Sequence, residues 1–113
     1  MIHTLIEYCL CKQGAAKDYP LGERGPLAIK IAGKLFALFY EDKGFLNLKC
    51  DPLIAENLRE QHEDIRPAYH MNKKHWNTII LEGSLPESDI FAMIDRSYDL
   101  VVHSLPKRIR ASI

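Results

Sequence analysis

The sequence predicts an α+β fold in which amphipathic helices cover a meandering antiparallel sheet. Three observations carry that expectation. Apolar residues recur at helical spacing at both ends of the chain, those between alternate with the period of two that marks half-buried strands, and Asp51-Pro52 breaks the strand region with a helix start.

Ile2, Leu5, Ile6, Cys9 and Leu10 draw one apolar stripe, and Gly14 sits where a cap would end that helix. Cys9 lies on the stripe and is expected to be a buried structural thiol. Pro20, Gly22, Gly25, Pro26, Gly33 and Gly44 then cut the chain into short extended units, as in a meander. Leu27, Ile29 and Ile31 alternate with Ala28, Lys30 and Ala32, while residues 35–40 are almost continuously apolar and suit a central strand. Next, Leu46, Leu48 and Cys50 alternate with Phe45, Asn47 and Lys49. With the first set facing the helices, Asn47 and Lys49 point to the other face of the sheet, with Lys30.

The second helix is expected to run from Asp51 to about His62, burying Ile54, Ala55 and Leu58 and leaving Glu56, Arg59, Glu60 and Glu63 as a solvated face. A strand over residues 78–82 follows, and Ser84-Leu85-Pro86-Glu87 reads as a capping box for the last helix. That helix carries Ile90, Met93, Ile94, Tyr98, Val101, Val102 and Leu105 at spacings of three and four. Pro106 ends it. Residues 1–106 make a single domain, and residues 107–113, with Lys107, Arg108 and Arg110, are expected to be a short, frayed basic tail.

A chain of 113 residues, 47% hydrophobic and 27% charged, buries a core without disulfides or metal and leaves no room for a long disordered region. No apolar run approaches the roughly 20 residues of a membrane helix. The start lacks a basic region and a small-residue cleavage site, so a cytoplasmic location is expected. The odd number of cysteines, Cys9, Cys11 and Cys50, fits reduced thiols. Net charge is zero, which argues against avid nonspecific binding to polyanions, but the charge is segregated. Residues 41–64 hold seven acids against three bases, whereas residues 66–77 hold Arg66, Lys73 and Lys74 against none.

That basic segment, Arg66-Pro67-Ala68-Tyr69-His70-Met71-Asn72-Lys73-Lys74-His75-Trp76-Asn77, is the stretch least like scaffold, for it also holds the single tryptophan. With Asn72 capping a short helical turn, Lys73, Lys74 and His75 occupy its first positions, where cations cost about 0.3–1 kcal/mol each and an anion relieves the conflict. His70 and His75 stand five apart with no cysteine or carboxylate between them, so no metal site is expected. There is no glycine-rich phosphate loop, nucleophile elbow or carboxylate pair. No catalytic residue and no cofactor is therefore assigned, and histidine is the one group suited to acid–base work.

Several blocks together carry a resemblance: Asp18-Tyr19-Pro20-Leu21-Gly22, Gly33-Lys34-Leu35-Phe36-Ala37, Leu46-Asn47-Leu48-Lys49-Cys50-Asp51-Pro52, Tyr69 through Asn77, Gly83-Ser84-Leu85-Pro86, and Ser97-Tyr98 followed by Leu105-Pro106-Lys107. Over nearly its whole length the chain resembles the MmcQ/YjbR family. The resemblance implies a small two-layer α/β sandwich, with helices packed on one face of an antiparallel sheet in the order α, three or four strands, α, two strands, α; it also implies a double-wing fold, for which DNA binding has been proposed, and no defined catalytic residues. The fold also resembles secretion chaperones, which bind protein segments.

Three function classes follow. A DNA-binding module sets Lys49, Arg66, Lys73 and Lys74 on phosphates, Asn72, Asn77 or His70 near bases, and Trp76 or Tyr69 in stacks. A small-ligand protein gathers Asn47, Lys49, Tyr69, His70, Lys73 and His75 around a phosphate or carboxylate compound. An adaptor uses a sheet edge or the acidic second helix. The first is the expectation, because the resemblance and the basic-aromatic cluster agree; a monomer without membrane contact is expected to carry it.

Overall fold

The computed structural model describes residues 1–113. Helix α1 (Ile2–Leu10) precedes strands β1 (Ala15–Asp18), β2 (Leu27–Ile31), β3 (Lys34–Tyr40) and β4 (Phe45–Lys49). Helix α2 (Pro52–Gln61), strands β5 (Ile65–Pro67) and β6 (Trp76–Ile80), and helices α3 (Glu87–Ser104) and α4 (Lys107–Ala111) complete the chain. The six strands form one antiparallel sheet in the order β1-β2-β3-β4-β6-β5. The α+β class and the helices on one face are as the sequence predicted.

The register sorts side chains between two faces. Ala37 pairs with Leu48 and Phe39 with Leu46, all of them in the core under the helices with Leu5 and Cys9 of α1 and Ile90, Ile94 and Val101 of α3. Leu38 pairs with Asn47 and Tyr40 with Phe45, which puts these four on the opposite, open face. Between Ile29–Ala37 and Lys30–Leu35 the register shifts, so Phe36 is the extra residue of a bulge. Its freed carbonyl accepts from Ser97 Oγ at 2.5 Å, and the same hydroxyl accepts from the Lys49 amide at 2.9 Å. One buried serine thus ties α3 to β3 and β4. The β2–β3 turn places Ala32 and Gly33 at φ of 50° and 79°, the two positive values a tight hairpin needs.

Four expectations are corrected. Helix α2 buries Ala55 alone; Leu58 is half-buried against the core, whereas Ile54 is exposed and Leu53 is 69% exposed. α3 covers the central strands β2, β3 and β4, α1 lies against the edge strand β1, and α2 rests on β5 and β6 at the opposite end of the sheet, so only a narrow stripe of α2 is covered. Ser84 does not cap α3, because Pro86 takes the N-cap position and has no side-chain bond to offer; the Ser84 amide instead donates to the Asp64 carboxylate at 2.9 Å. The basic tail is helix α4 rather than a frayed end. Ile109 and Ile113 pack against the core, and Gln13 Nε2 donates to the Ile113 carbonyl at 2.7 Å. Gly14 makes room for that packing: at φ 78° a Cβ there would meet Ile31 Cδ1 at 2.6 Å and Ile113 Cγ2 at 3.1 Å. Finally, β6 begins at Trp76, two residues before the predicted strand, because Trp76 and Asn77 extend the ladder opposite Lys49 and Leu48.

Burial pushes the Cys9 thiol up to about 12, which suits a packing role. All three cysteines are free. No helix is long and apolar enough to cross a membrane.

Candidate nucleic-acid interface

The basic-aromatic segment is fastened to the open sheet face by a buried polar clamp. Period-two alternation sends Asn47 of β4 and Thr78 of β6 to that face, directly opposite one another. Asn47 Nδ2 donates to the Tyr69 carbonyl at 2.9 Å, the Thr78 hydroxyl donates to Asn47 Oδ1, and the Tyr69 amide donates to Thr78 Oγ1 at 2.9 Å. Asn47 is fully buried, so it positions Tyr69 and is closed to any ligand.

Above the clamp the Tyr69 side chain stands 40% exposed. Its ring meets Tyr40 and Phe45 edge-on, with centroids 5.6 and 5.5 Å away, and those two rings stack on each other at 4.5 Å. His70, in the left-handed region at φ 57°, turns its ring against Tyr69 at 3.8 Å. Lys43, from the β3–β4 turn, reaches over the Tyr69 ring at 5.1 Å and the Tyr40 ring at 5.8 Å. Burial, with Tyr69 alongside, pushes the Tyr40 hydroxyl up in pKa, and Lys43 partly offsets this.

Arg66, Lys73 and Lys74 are exposed, and Lys49 is half-buried opposite Trp76 at the end of β4. The molecule contains two ion pairs, Lys12–Asp95 and Lys30–Asp18. Lys43, Lys49, Arg66, Lys73 and Lys74 therefore all lack a carboxylate within 4.0 Å. A shallow groove of about 480 Å³ runs along this face, with Phe45 and Tyr69 on its apolar side and Arg66, His70 and Lys73 at its rim.

The turn after Asn72 forms as the sequence suggested, but its chemistry differs. Asn72 Oδ1 accepts from the Lys74 amide at 2.9 Å and from the His75 amide at 3.3 Å. These are the N–H groups that an anion was expected to meet, and the asparagine has used them. Residues 73–75 make a single turn and no helix. What remains for an anion is the side-chain charge of Lys73 and Lys74; His75 is exposed beside them.

The predicted stacking and base-reading residues divide. Trp76, on the open face, is buried to 9% exposure and Asn77 points to the helix side at 2%, so neither is free to meet a base, while Tyr69, His70 and Asn72 lie open. Arg59 is also misread as solvated. Its Nε donates to Asn77 Oδ1 at 2.6 Å, and its Nη2 reaches the carbonyls of Lys73 and Trp76, bracketing the far end of the loop as the Asn47 clamp fixes the near end. Lys43, Arg59 and Thr78 are the contributors that sequence reasoning missed. Lys43 sits in an acidic run and Arg59 on an acidic helix face, so local composition masks both. No group of three or more His, Cys, Asp or Glu side chains is placed to hold a metal ion.

Comparisons with known proteins agree among themselves. A family model described as YjbR matches residues 10–100. The uncharacterised protein YjbR of Escherichia coli strain K12 is 40% identical over 111 residues, spanning 96% of this chain and 93% of its own. The Bacillus subtilis protein YyaQ is 49% identical over 55 residues, 49% of this chain and 46% of that one. The crystal structure of Deinococcus radiodurans protein DR2400 superposes with a TM-score of 0.89 at 30% identity, covering 99% of this chain and 86% of that one. A crystal structure from Pseudomonas syringae gives 0.75 at 29% identity, covering 87% and 96%.

Proposed function

The chain belongs to the YjbR family, and for it we propose a DNA-binding role in which the open sheet face meets unpaired bases and their phosphates. One observation carries the reading: Lys43, Arg66 and Lys73, all without carboxylate partners, flank an exposed tyrosine whose backbone is clamped to the sheet. Arg66 and Lys73 contact phosphates along the groove rim and Lys74 does so from the turn beside it, Lys43 and Lys49 extend the positive field, and Tyr69 supplies the stacking surface. Trp76 has no part in contact.

Preorganisation is the physical core of the proposal. Stacking on an aromatic side chain contributes roughly 1–3 kcal/mol per base. The T-shaped support from Tyr40 and Phe45 holds the Tyr69 ring before any partner arrives, so little side-chain entropy is lost on contact. A ring standing on a shallow groove reaches a base face only where that base is unstacked, which favours single strands over duplex. The rest of the molecule balances the charge to zero, so affinity depends on this face and not on net charge.

Fluorescence anisotropy with labelled oligothymidine and a matched duplex tests the proposal. Tighter binding of the single strand is expected, and Tyr69→Ala should weaken it about tenfold, within the range for one lost stack. No binding at low ionic strength would remove the reading. Stabilisation by mononucleotides, with oligonucleotides having no effect, would recast the groove as a small-ligand site centred on Arg66, His70 and Lys73.

A further inference from the structure

We propose that a second recess, on the helix side of the sheet, binds a small monocarboxylate with an apolar body. Helix α2 lies over β5 and β6 while α3 lies over β2, β3 and β4, and the two helices flank a groove. Leu48 and Ile79 floor it, Leu58 of α2 and Met93 of α3 wall it, and Asn77 lies at its base.

The orientation of the Asn77 amide is dictated by its neighbour. Arg59 Nε has only a proton to offer and reaches Asn77 Oδ1 at 2.6 Å, so the carbonyl oxygen faces Arg59 and the amide nitrogen takes the other side. That Nδ2 is buried and has no hydrogen-bond partner. Buried donors without acceptors are rare in folded proteins. The Asn47 amide, on the open face, shows the contrast: both its nitrogen and its oxygen are bonded.

The innermost space beside Asn77 is about 10 Å³, room for one water-sized group such as a single oxygen. Arg96 borders this space and both wider recesses that adjoin it. It is exposed and has no carboxylate partner. One adjoining recess holds about 170 Å³ and is lined by Ile65, Leu85 and Met93 among others; the second holds about 340 Å³ beside Ile54 and Leu100. An oxygen acceptor bonded to Asn77 Nδ2, a second oxygen of the same group on Arg96, and a hydrocarbon body against Ile65 and Leu85 together describe a short carboxylate. An alcohol leaves Arg96 unused, and an amine repels it.

The test uses hexanoate as the probe, titrated into the ¹⁵N-labelled full chain, with hexanol and hexylamine as matched controls. A saturable shift of the Asn77 side-chain amide resonance is expected with hexanoate. Arg96→Ala, which alters an exposed side chain and leaves the Arg59–Asn77 bond in place, should weaken binding roughly tenfold or more, the scale of one hydrogen bond to a charged group. An Asn77 amide that stays unmoved in millimolar hexanoate overturns the proposal, with water alone then as its partner. Equal binding of hexanol, or shifts confined to Lys73 and Lys74, overturns it as well.

Discussion

Asn47, Ser97 and Arg59 are polar residues whose value lies in what they hold. The alternation along β4 makes the face of Asn47 legible from sequence, but not its burial, since the chain that covers it returns to the sheet only after α2 and β5. Asn47→Ala strands the Tyr69 carbonyl and one partner of Thr78, so a loss of about 1–3 kcal/mol in urea unfolding is expected. Weaker DNA binding should accompany it, although the side chain touches no ligand. Ser97→Ala leaves the Phe36 carbonyl and the Lys49 amide without their shared partner and is expected to cost a similar 1–3 kcal/mol. Lys73→Ala with Lys74→Ala removes two exposed, unpaired cations, so the unfolding midpoint should move by no more than about 0.5 kcal/mol per site. Trp76 marks the limit of composition as a guide: a tryptophan among lysines looks like a ligand contact, yet on the same face as Asn47 and Thr78 it is buried to 9% exposure.

At the scale of elements, β2, β3, β4, β6 and the three long helices were legible because period and punctuation are local signals, whereas β1 and the three-residue β5 are too short to show a period. The misreadings came where tertiary contacts decide. α4 orders because Ile109 and Ile113 find the core, a fact absent from the basic composition of the tail, and Ser84 loses its capping role to a proline two residues on. The α1–α3 contact is another tertiary product. Tyr8 and Lys12 both donate to Asp95, and Tyr8 stacks on Phe91 at 4.3 Å. Burial alone would raise the Asp95 carboxyl in pKa, but the bonds from Lys12 and Tyr8 outweigh it and hold the group below its ordinary value of 3.8. A carboxylate lowered in this way stabilises the fold fully above that ordinary value and loses its contribution as pH falls through the lowered native one. Asp95→Asn should therefore be less stable at neutral pH, by up to about 1 kcal/mol for a partly exposed pair. The deficit should shrink below pH 3.8, and acid titrations of the two proteins followed by circular dichroism check that convergence.

The whole molecule has zero net charge and two dissimilar faces. Its outer strands are poor docking edges: β5 has three residues and ends in Pro67, and β1 has four and carries Lys17 and Asp18. Charge segregation in the sequence marks residues 66–77 as basic, and the fold adds cations from outside that segment: Lys43 from one hairpin and Lys49 from a strand end. The most direct test is the salt dependence of oligothymidine binding by the native chain and by the Lys73→Ala, Lys74→Ala double variant. Each phosphate contact on a single strand adds about −0.7 to the slope of log K against log salt, so removal of two contacts should flatten it by about 1.4. A native slope near zero, or a slope unchanged in the double variant, would contradict the open face as the DNA-binding surface.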